Sequence, residues 1–188
     1  MQQPLRAVSS DYDKLIHATR GKKFVLLGEA RSWHGGILPN ARAEITRRLI
    51  EEEGFDAVAV EADWPDAYRV NRFVARTSDD VDADEALSDF QRFPTWMWRN
   101  MEVKDFIGWL RDFNERKRTR KTSNEYAGFF GLDLYSMTSS IHAVLAYLNK
   151  IDPVEAAAAR ERYACLGQFI NDPQAYGYAI ASGQMGFV

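Results

Sequence analysis

Three short apolar runs constrain the fold of this chain most, because an acidic residue follows each of them closely. The runs are Phe24–Leu27, Phe55–Val60 and Tyr126–Leu132, and the acids are Glu29, Glu61 and Asp133. Continuous apolar runs between polar residues are typical of strands buried on both faces of a parallel sheet. Parallel strands end at the same edge, where open α/β sheets bind their ligands. We therefore predict an α/β fold with a parallel central sheet flanked by helices.

Helical patterns separate the predicted strands. Residues Ala41–Glu53 carry an apolar stripe and end at Gly54, so the strand–helix–strand order predicts a parallel pair with a right-handed crossover. Further helices are predicted over Ser10–Arg20 with Ser10 as its cap, from Pro65, over Asp84–Phe90 within an exposed acidic segment, over Val103–Arg116 and Met137–Asn149, and from Asp152 to Cys165. No capped element is predicted beyond Asn171. With 188 residues we expect one domain over residues 10–188, after a flexible arm at residues 1–9.

Composition excludes several classes of function. A formal net charge of −3 gives no electrostatic case for a nucleic-acid partner. No run is apolar enough for a signal peptide or a bilayer span, so we expect a cytoplasmic protein without a membrane partner. A single cysteine, Cys165, excludes an intramolecular disulfide and a thiolate zinc site. We expect no metal and no cofactor, because metal-ligand spacings and the dinucleotide fingerprint are both absent.

The acids at the strand ends have two interpretations. Clustered carboxylates can orient a base or bind a cation, whereas a single acid after a strand often caps the next helix. Aspartate is a good helix cap, so Asp63 and Asp133 fit the second interpretation. Glutamate is a poor cap, which makes Glu29 and Glu61 the better functional candidates.

One histidine stands out as a candidate base. His17 is expected on the surface of the first helix, and His142 is expected to be a structural residue beside Ile141. His34 lies in a glycine-containing loop after the first predicted strand, with an acid nearby. Histidine titrates near neutral pH, so His34 is the predicted general base. A G-x-S-x-G nucleophile elbow is absent.

The aromatic stretch Phe93–Trp98 also has two interpretations. Most of its rings are expected to pack on the sheet as part of the core. Trp96 or Trp98 is also a candidate wall of a ligand pocket, since such pockets are often lined by aromatic residues.

Long blocks of the sequence resemble the erythromycin esterase family, and they cover nearly all of residues 10–179. The blocks are VLLGEA, ARAEITRRLIEEEGFDAVAVEADWPDAYRVNRFV, FPTWMWRN, EVKDFIGWLRDFN, FFGLDLYS and DPQAYGYA. The resemblance implies hydrolysis of a carboxylic ester or lactone, macrolides being the substrates that named the family. It implies that a histidine activates water, assisted by the glutamates at positions Glu29 and Glu61. Arg42 resembles the arginine that follows in the first helix, and we assign substrate contacts to Arg42, Asp133 and Trp64.

The chain departs from the family pattern in the loop after the first predicted strand. The pattern resembles G-E-A-S/T-H-G-T-x-E-F-Y-R, whereas Ser32 stands where the histidine is expected and His34 comes two positions later. Residues Ser32–Pro39 can be encoded as TCA TGG CAC GGC GGA ATT CTA CCG. One nucleotide later the same string reads H-G-T-A-E-F-Y and the start of an arginine codon. We infer a local frameshift, in the gene or in its sequencing, across Arg31–Pro39.

Three functional expectations follow. The first is an ester hydrolase acting on a small-molecule ester, with weak activity because His34 is displaced. The second is a catalytically inactive relative, truncated after the N-terminal portion of the family's domain, that self-associates or binds a partner through surface left open. The third is a nucleotide-binding α/β domain, against which the absent phosphate loop argues.

Overall fold

A computed structural model describes residues 9–28, 37–91, 95–119, 126–133, 136–169 and 173–183. The α-helices among them are α1 (Asp13–Ala18), α2 (Ile37–Glu53), α3 (Trp64–Val74), α4 (Ala83–Ala86), α5 (Met101–Thr119), α6 (Met137–Ile151), α7 (Pro153–Tyr163) and α8 (Pro173–Ala181). The strands are β1 (Ala57–Asp63) and β2 (Gly128–Asp133), and short 3₁₀ helices cover Ser9–Tyr12, Thr95–Met97 and Ala164–Phe169.

The sheet consists of β1 and β2 in the described part of the chain. The two strands run parallel and are flanked by helices, which confirms the α/β prediction. At its start, the pair is held by the N–H of Gly128, which donates to the carbonyl oxygen of Asp56 at 2.8 Å.

The prediction of a first strand over Phe24–Leu27 is wrong, because these residues lie outside any strand of the structure. Phe24 and Leu26 are 84% and 93% exposed, whereas Val25 and Leu27 are half-buried. The half-buried pair packs against a core cluster of Tyr12, Ile16, Ile45 and Leu49. A strand needs a hydrogen-bonded neighbour, and this segment has no pairing in the described sheet.

The other two strands are confirmed with shifted bounds. The strand predicted over Phe55–Val60 begins and ends later, so Glu61 lies inside β1 and does not follow it. Its first five residues alternate between exposed and half-buried, which corrects the expectation of burial on both faces. The strand predicted over Tyr126–Leu132 is observed as β2, with Asp133 as its last residue.

Local signals placed most helix ends correctly. Gly21 and Gly54 have φ of 70° and 74°, a conformation that glycine adopts at low cost after a helix. Asp152 caps α7 as predicted, because one carboxylate oxygen accepts from the N–H groups of Val154 and Glu155 at 3.0 and 3.1 Å.

Three helix predictions need correction. The helix predicted from Ser10 begins as a 3₁₀ turn, and α1 starts at Asp13 without a side-chain cap. The helix predicted over Asp84–Phe90 is the single turn α4. Beyond Asn171, where none was predicted, α8 forms, and the Phe169 and Tyr176 rings pack edge-on at 5.4 Å. Tertiary packing of this kind overrides the weak helix propensity of a glycine-containing segment.

The chain divides into two compact units. The first comprises residues 1–59 and 69–130, and its core centres on the fully buried side chains Val70, Val74, Leu87, Ile107 and Leu110. The prediction that rings of the aromatic stretch pack in the core is confirmed for Trp98. Its ring packs against that of Phe90 at 5.8 Å and that of Phe129 at 6.4 Å. The second comprises residues 60–68 and 131–188, where α6 packs against α7 and the most buried side chains on α7 are alanines.

Two buried asparagines in the first unit hold the start of β2. Asn114 on α5 accepts from the N–H of Ala127 at 2.8 Å and donates to the carbonyl oxygens of Ala127 and Val74, both at 3.0 Å. Asn71 on α3 accepts from the N–H of Phe129 at 2.9 Å. Every hydrogen-bonding position of the Asn114 amide except one oxygen lone pair is therefore used.

The acidic segment at residues 77–89 is not simply exposed, as the sequence suggested. Asp80 is 9% exposed and receives two N–H groups of Arg69, the shortest bond measuring 2.7 Å. The same guanidinium donates to Ser88 and Asp89. These hydrogen bonds from Arg69 hold the pKa of Asp80 below its usual range, so the carboxylate stays ionised where it is buried.

Candidate functional site

The candidate site lies at the carboxyl ends of β1 and β2 in the second unit. Glu61 is exposed in β1, and Asp63, the last residue of that strand, is 4% exposed. Asp133 is half-buried at the end of β2. Because the two strands are parallel neighbours, Glu61 and Asp133 both belong to the carboxyl-terminal end of the sheet, where the sequence predicted acids to gather.

Asp63 has a structural role at this end of the sheet. Its Oδ1 atom accepts from the N–H of Ser136 at 3.1 Å, and Ser136 is the residue that immediately precedes α6. The side chain of Ser136 makes no capping bond of its own to α6. A carboxylate at a helix N-terminus satisfies an unpaired N–H group and interacts favourably with the helix dipole. Asp63 therefore interacts with a helix N-terminus, as the capping interpretation expected. The helix is α6, however, and not α3, the next helix along the chain.

The two strand ends approach each other closely at Gly131. A Cβ atom on this residue would lie 2.5 Å from the carbonyl oxygen of Ala62 and 2.8 Å from that of Asp63. Real Cβ atoms do not come this close to backbone oxygens, so only glycine fits without movement of the strand. Gly131 thus fixes the spacing between the strand that carries Asp133 and the strand that carries Glu61 and Asp63.

Two aromatic side chains follow Asp63 along the chain in the second unit. Trp64, an assigned substrate contact, is half-buried at the start of α3. Its ring lies 6.5 Å from that of Tyr68, one helical turn later, at an angle of 54°. Tyr68 is 54% exposed and was missed by the sequence analysis. Its i, i+4 spacing from Trp64 was the available signal, because residues four apart share a helix face.

The remaining predicted residues fall elsewhere. Arg42 is half-buried on α2, in the first unit. Glu29 and His34 lie outside the described residues. Trp96 is 47% exposed in the first unit, and its role as a pocket wall stays a prediction.

The histidines on helices are both exposed. His17 lies on the surface of α1, as expected. His142 is exposed on α6, which corrects the expectation of a structural histidine, because α6 turns this position away from its packed side. Among the described residues, no three His, Cys, Asp or Glu side chains form a cluster that could hold a metal ion.

Comparison with known proteins decides the family. The family model described as Erythromycin esterase matches residues 50–186, well over half of the chain. The chain belongs to the erythromycin esterase family. No solved structure matches it.

The family match includes Glu61, Trp64 and Asp133 and begins after Glu29, His34 and Arg42. It therefore supports a relationship to hydrolases through the part of the chain that contains β1 and β2. No helix in the part that the structure describes has the length and apolar character needed to cross a membrane.

Proposed function

We propose that this erythromycin esterase family chain hydrolyses a carboxylic ester or lactone by direct attack of water on the carbonyl carbon. A histidine removes a proton from the water as its oxygen attacks. The tetrahedral intermediate then loses the alcohol oxygen, which takes the proton from the histidine. The products are a carboxylic acid and an alcohol, joined in one open chain when the substrate is a lactone.

Glu61 is the catalytic residue that the structure supports best. Its side chain is exposed, and it lies at the carboxyl-terminal end of β1, beside a buried aspartate already engaged in capping α6. The carboxylate is thus accessible to a ligand, while Asp63 is used for structure. In the proposed reaction, Glu61 orients the histidine or the attacking water, and orientation of this kind accounts for a large part of enzymatic rate enhancement.

The base and the substrate contacts come from the family resemblance. His34 is the histidine that the sequence provides after Gly28, together with Glu29, and it stands two positions later than the family pattern requires. Asp133, Trp64 and Arg42 are the proposed substrate contacts. The neighbouring rings of Trp64 and Tyr68 form an aromatic surface on the second unit, against which the apolar part of an ester can pack. A macrolide lactone is one ester with such an apolar part.

Hydrolysis of a small chromogenic ester tests the proposal. The purified chain is expected to raise the initial rate above that of buffer, weakly, because displacement of a catalytic group by about 1 Å can cost about a hundredfold in rate. Glu61→Gln has nearly the same shape and is expected to reduce the rate to that of buffer. Glu51→Gln, an exposed glutamate on α2, is the matched control and is expected to retain the rate.

The histidine is tested by two further variants. His34→Ala is expected to abolish the weak activity, and Ser32→His is expected to increase it, because it places a histidine three residues after Glu29. Activity that survives His34→Ala unchanged would exclude His34 as the base.

A non-catalytic binding function is the second candidate, and one observation in the second unit favours it. Large apolar side chains are exposed there: Leu132, Tyr147, Ile151, Val154 and Tyr178 are between 63% and 78% exposed. Helix α6 has no fully buried residue despite its apolar composition. An uncovered apolar surface of this kind promotes association with another protein or a second copy. A concentration-independent monomer mass in sedimentation would count against self-association.

A further inference from the structure

Arg76 adopts a strained backbone conformation at the end of α3. Its φ of 61° lies in the left-handed region, where glycine is the usual residue after a helix. Among the described residues, Arg76 is the one non-glycine with a positive φ. A residue with a Cβ atom is strained in this conformation, whereas glycine is not. An arginine in place of glycine therefore points to a role for its side chain.

The side chain of Arg76 meets two further arginines near one glutamate of α5. Its Nε atom lies 3.3 Å from Oε2 of Glu115, and Nη2 of Arg118 lies 3.2 Å from the same oxygen. Arg111 shares this face of the helix, because it lies four residues before Glu115 and seven before Arg118. Three positive charges of the first unit therefore gather near one carboxylate.

The guanidinium of Arg111 is held in place by the protein but has few partners. Its central carbon lies 4.0 Å from the centre of the buried Phe73 ring. One Nη1 hydrogen bond goes to the carbonyl oxygen of Val81 at 3.2 Å, and the guanidinium makes no ion pair within the described structure. Its Nε atom is buried without a hydrogen-bond partner there. Arginine carries five N–H donors in one plane, so the other Nη donors of Arg111 remain for a ligand.

The positive charge of Arg111 is not balanced by a neighbouring acid. Burial and then the positive charge of Arg76 lower the pKa of Arg111, so the two cations repel each other. Asp112 attracts Arg111, but it is exposed to solvent that screens its charge. Asp80 also attracts Arg111, yet that carboxylate already receives two N–H groups of Arg69. An anion placed between Arg76 and Arg111 removes the repulsion.

We propose that Arg76 and Arg111 bind a phosphate dianion, either the free ion or the phosphate group of a small monoester. Guanidinium groups donate paired, charge-assisted hydrogen bonds to phosphate oxygens, and two of them match two negative charges. The Phe73 ring fixes the plane of Arg111, which reduces the entropy lost on binding. The site lies within the first unit and uses none of the residues assigned to ester hydrolysis.

Thermal unfolding in phosphate and in chloride of equal ionic strength tests the site without any measurement of catalysis. A few charge-assisted hydrogen bonds give a dissociation constant on the order of 1 mM. In about 20 mM inorganic phosphate, at an alkaline pH where the dianion predominates, the chain is expected to melt about 4 °C higher than in chloride.

Two variants separate binding from folding. Arg76→Gly removes both the side chain and the backbone strain, and the partly exposed ion pair that it loses contributes little. It is expected to melt no lower than its parent in chloride and to lose the rise in phosphate. Arg111→Lys keeps the charge without the planar fork and is expected to bind phosphate at least about tenfold more weakly. Arg116→Gln removes an exposed arginine of α5 and is the control, which is expected to keep the full rise.

The outcomes decide whether the site exists and which ion it takes. Equal melting temperatures of the parent in phosphate and in chloride would overturn the proposal. So would an equal rise in the parent, Arg76→Gly and Arg111→Lys, which would place phosphate binding elsewhere. Titrations followed by amide NMR identify the source of the phosphate group. Tighter binding of glycerol phosphate than of inorganic phosphate assigns a monoester, and the reverse order assigns the free ion.

Discussion

Replacement of Asn114 should strongly destabilise the first unit. It is 6% exposed and makes three hydrogen bonds, one to the N–H of Ala127 and two to the carbonyl oxygens of Ala127 and Val74. Asn114→Ala removes all three and leaves those backbone groups without their partner. The groups belong to the end of α3 and to the residue before β2, so the change acts on two elements at once.

The expected cost follows from the number of bonds. A typical internal hydrogen bond contributes about 1 kcal/mol, and a buried backbone group left unpaired costs about 1–3 kcal/mol. Asn114→Ala should therefore reduce the free energy of unfolding by about 3 kcal/mol. That is a large fraction of the roughly 5–15 kcal/mol by which domains are stable. Asn114→Asp keeps the acceptor for Ala127 but directs a carboxylate at two carbonyl oxygens. Its cost should be at least as great at pH 7 and smaller at acidic pH, where the protonated carboxyl can donate.

Urea unfolding followed by circular dichroism measures the effect. With a slope of about 2 kcal/mol per molar urea, a loss of about 3 kcal/mol lowers the midpoint by about 1.5 M. Asn149→Ala is the control, because Asn149 is exposed and makes one hydrogen bond to Arg160. It should shift the midpoint by less than about 0.5 M. A midpoint for Asn114→Ala no lower than that of the control would refute the reasoning.

Three further predictions concern stability. Asp80→Asn should reduce the free energy of unfolding by about 2 kcal/mol at pH 7, because Asp80 accepts charge-assisted bonds from Arg69. The pKa of Asp80 is lowered in the folded state, so its contribution is present above about pH 4 and is lost as pH falls through the folded pKa. In urea titrations the difference between variant and parent should therefore be largest at pH 7 and should narrow progressively as the pH is lowered below about 4. Gly131→Ala should lower the melting temperature, since overpacking against backbone costs about 1–3 kcal/mol, whereas Gly177→Ala, with open space in α8, should raise it slightly. Asp63→Ala should cost about 1 kcal/mol through the lost α6 cap, and an unchanged calorimetric melting temperature would exclude that role.

Local signals made much of this fold readable from the sequence. The glycine at position 54, the proline at position 65 and the aspartate at position 152 mark helix ends through backbone preferences that act within a few residues. The apolar runs that became β1 and β2 were found because β-branched and aromatic residues cluster there. The parallel α/β arrangement followed from the order of the elements.

The pairings between distant residues could not be predicted from the sequence. Arg69 and Asp80 are 11 residues apart, and nothing in an acidic segment reveals which of its carboxylates is buried. Asn71 and Asn114 look like ordinary helix residues, yet their side chains replace strand neighbours across 58 and 13 residues. The segment Phe24–Leu27 has the composition of a strand, but strand formation depends on a partner and not on composition alone.

The candidate site could be predicted only in part from the sequence, because it too depends on contacts between distant residues. The sequence indicated that acids gather at the strand ends, and the capping preferences of aspartate and glutamate favoured Glu61 over Asp63 as the functional residue. What the sequence did not reveal is which helix Asp63 caps, because its bond to the N–H of Ser136 spans 73 residues. The partnership of Trp64 with Tyr68 likewise becomes visible once α3 is formed.

Ester hydrolysis by the folded chain, compared with its Glu61→Gln variant, tests the central claim most directly. Displacement of a catalytic group by about 1 Å can cost about a hundredfold in rate, so removal of a carboxylate that orients the base or the water should be visible even in a weak enzyme. We predict that the chain hydrolyses a chromogenic ester faster than buffer, that Glu61→Gln falls to the buffer rate, and that both proteins have the same circular dichroism spectrum. A folded chain no faster than buffer, or a Glu61→Gln variant as active as its parent, would contradict the proposed function.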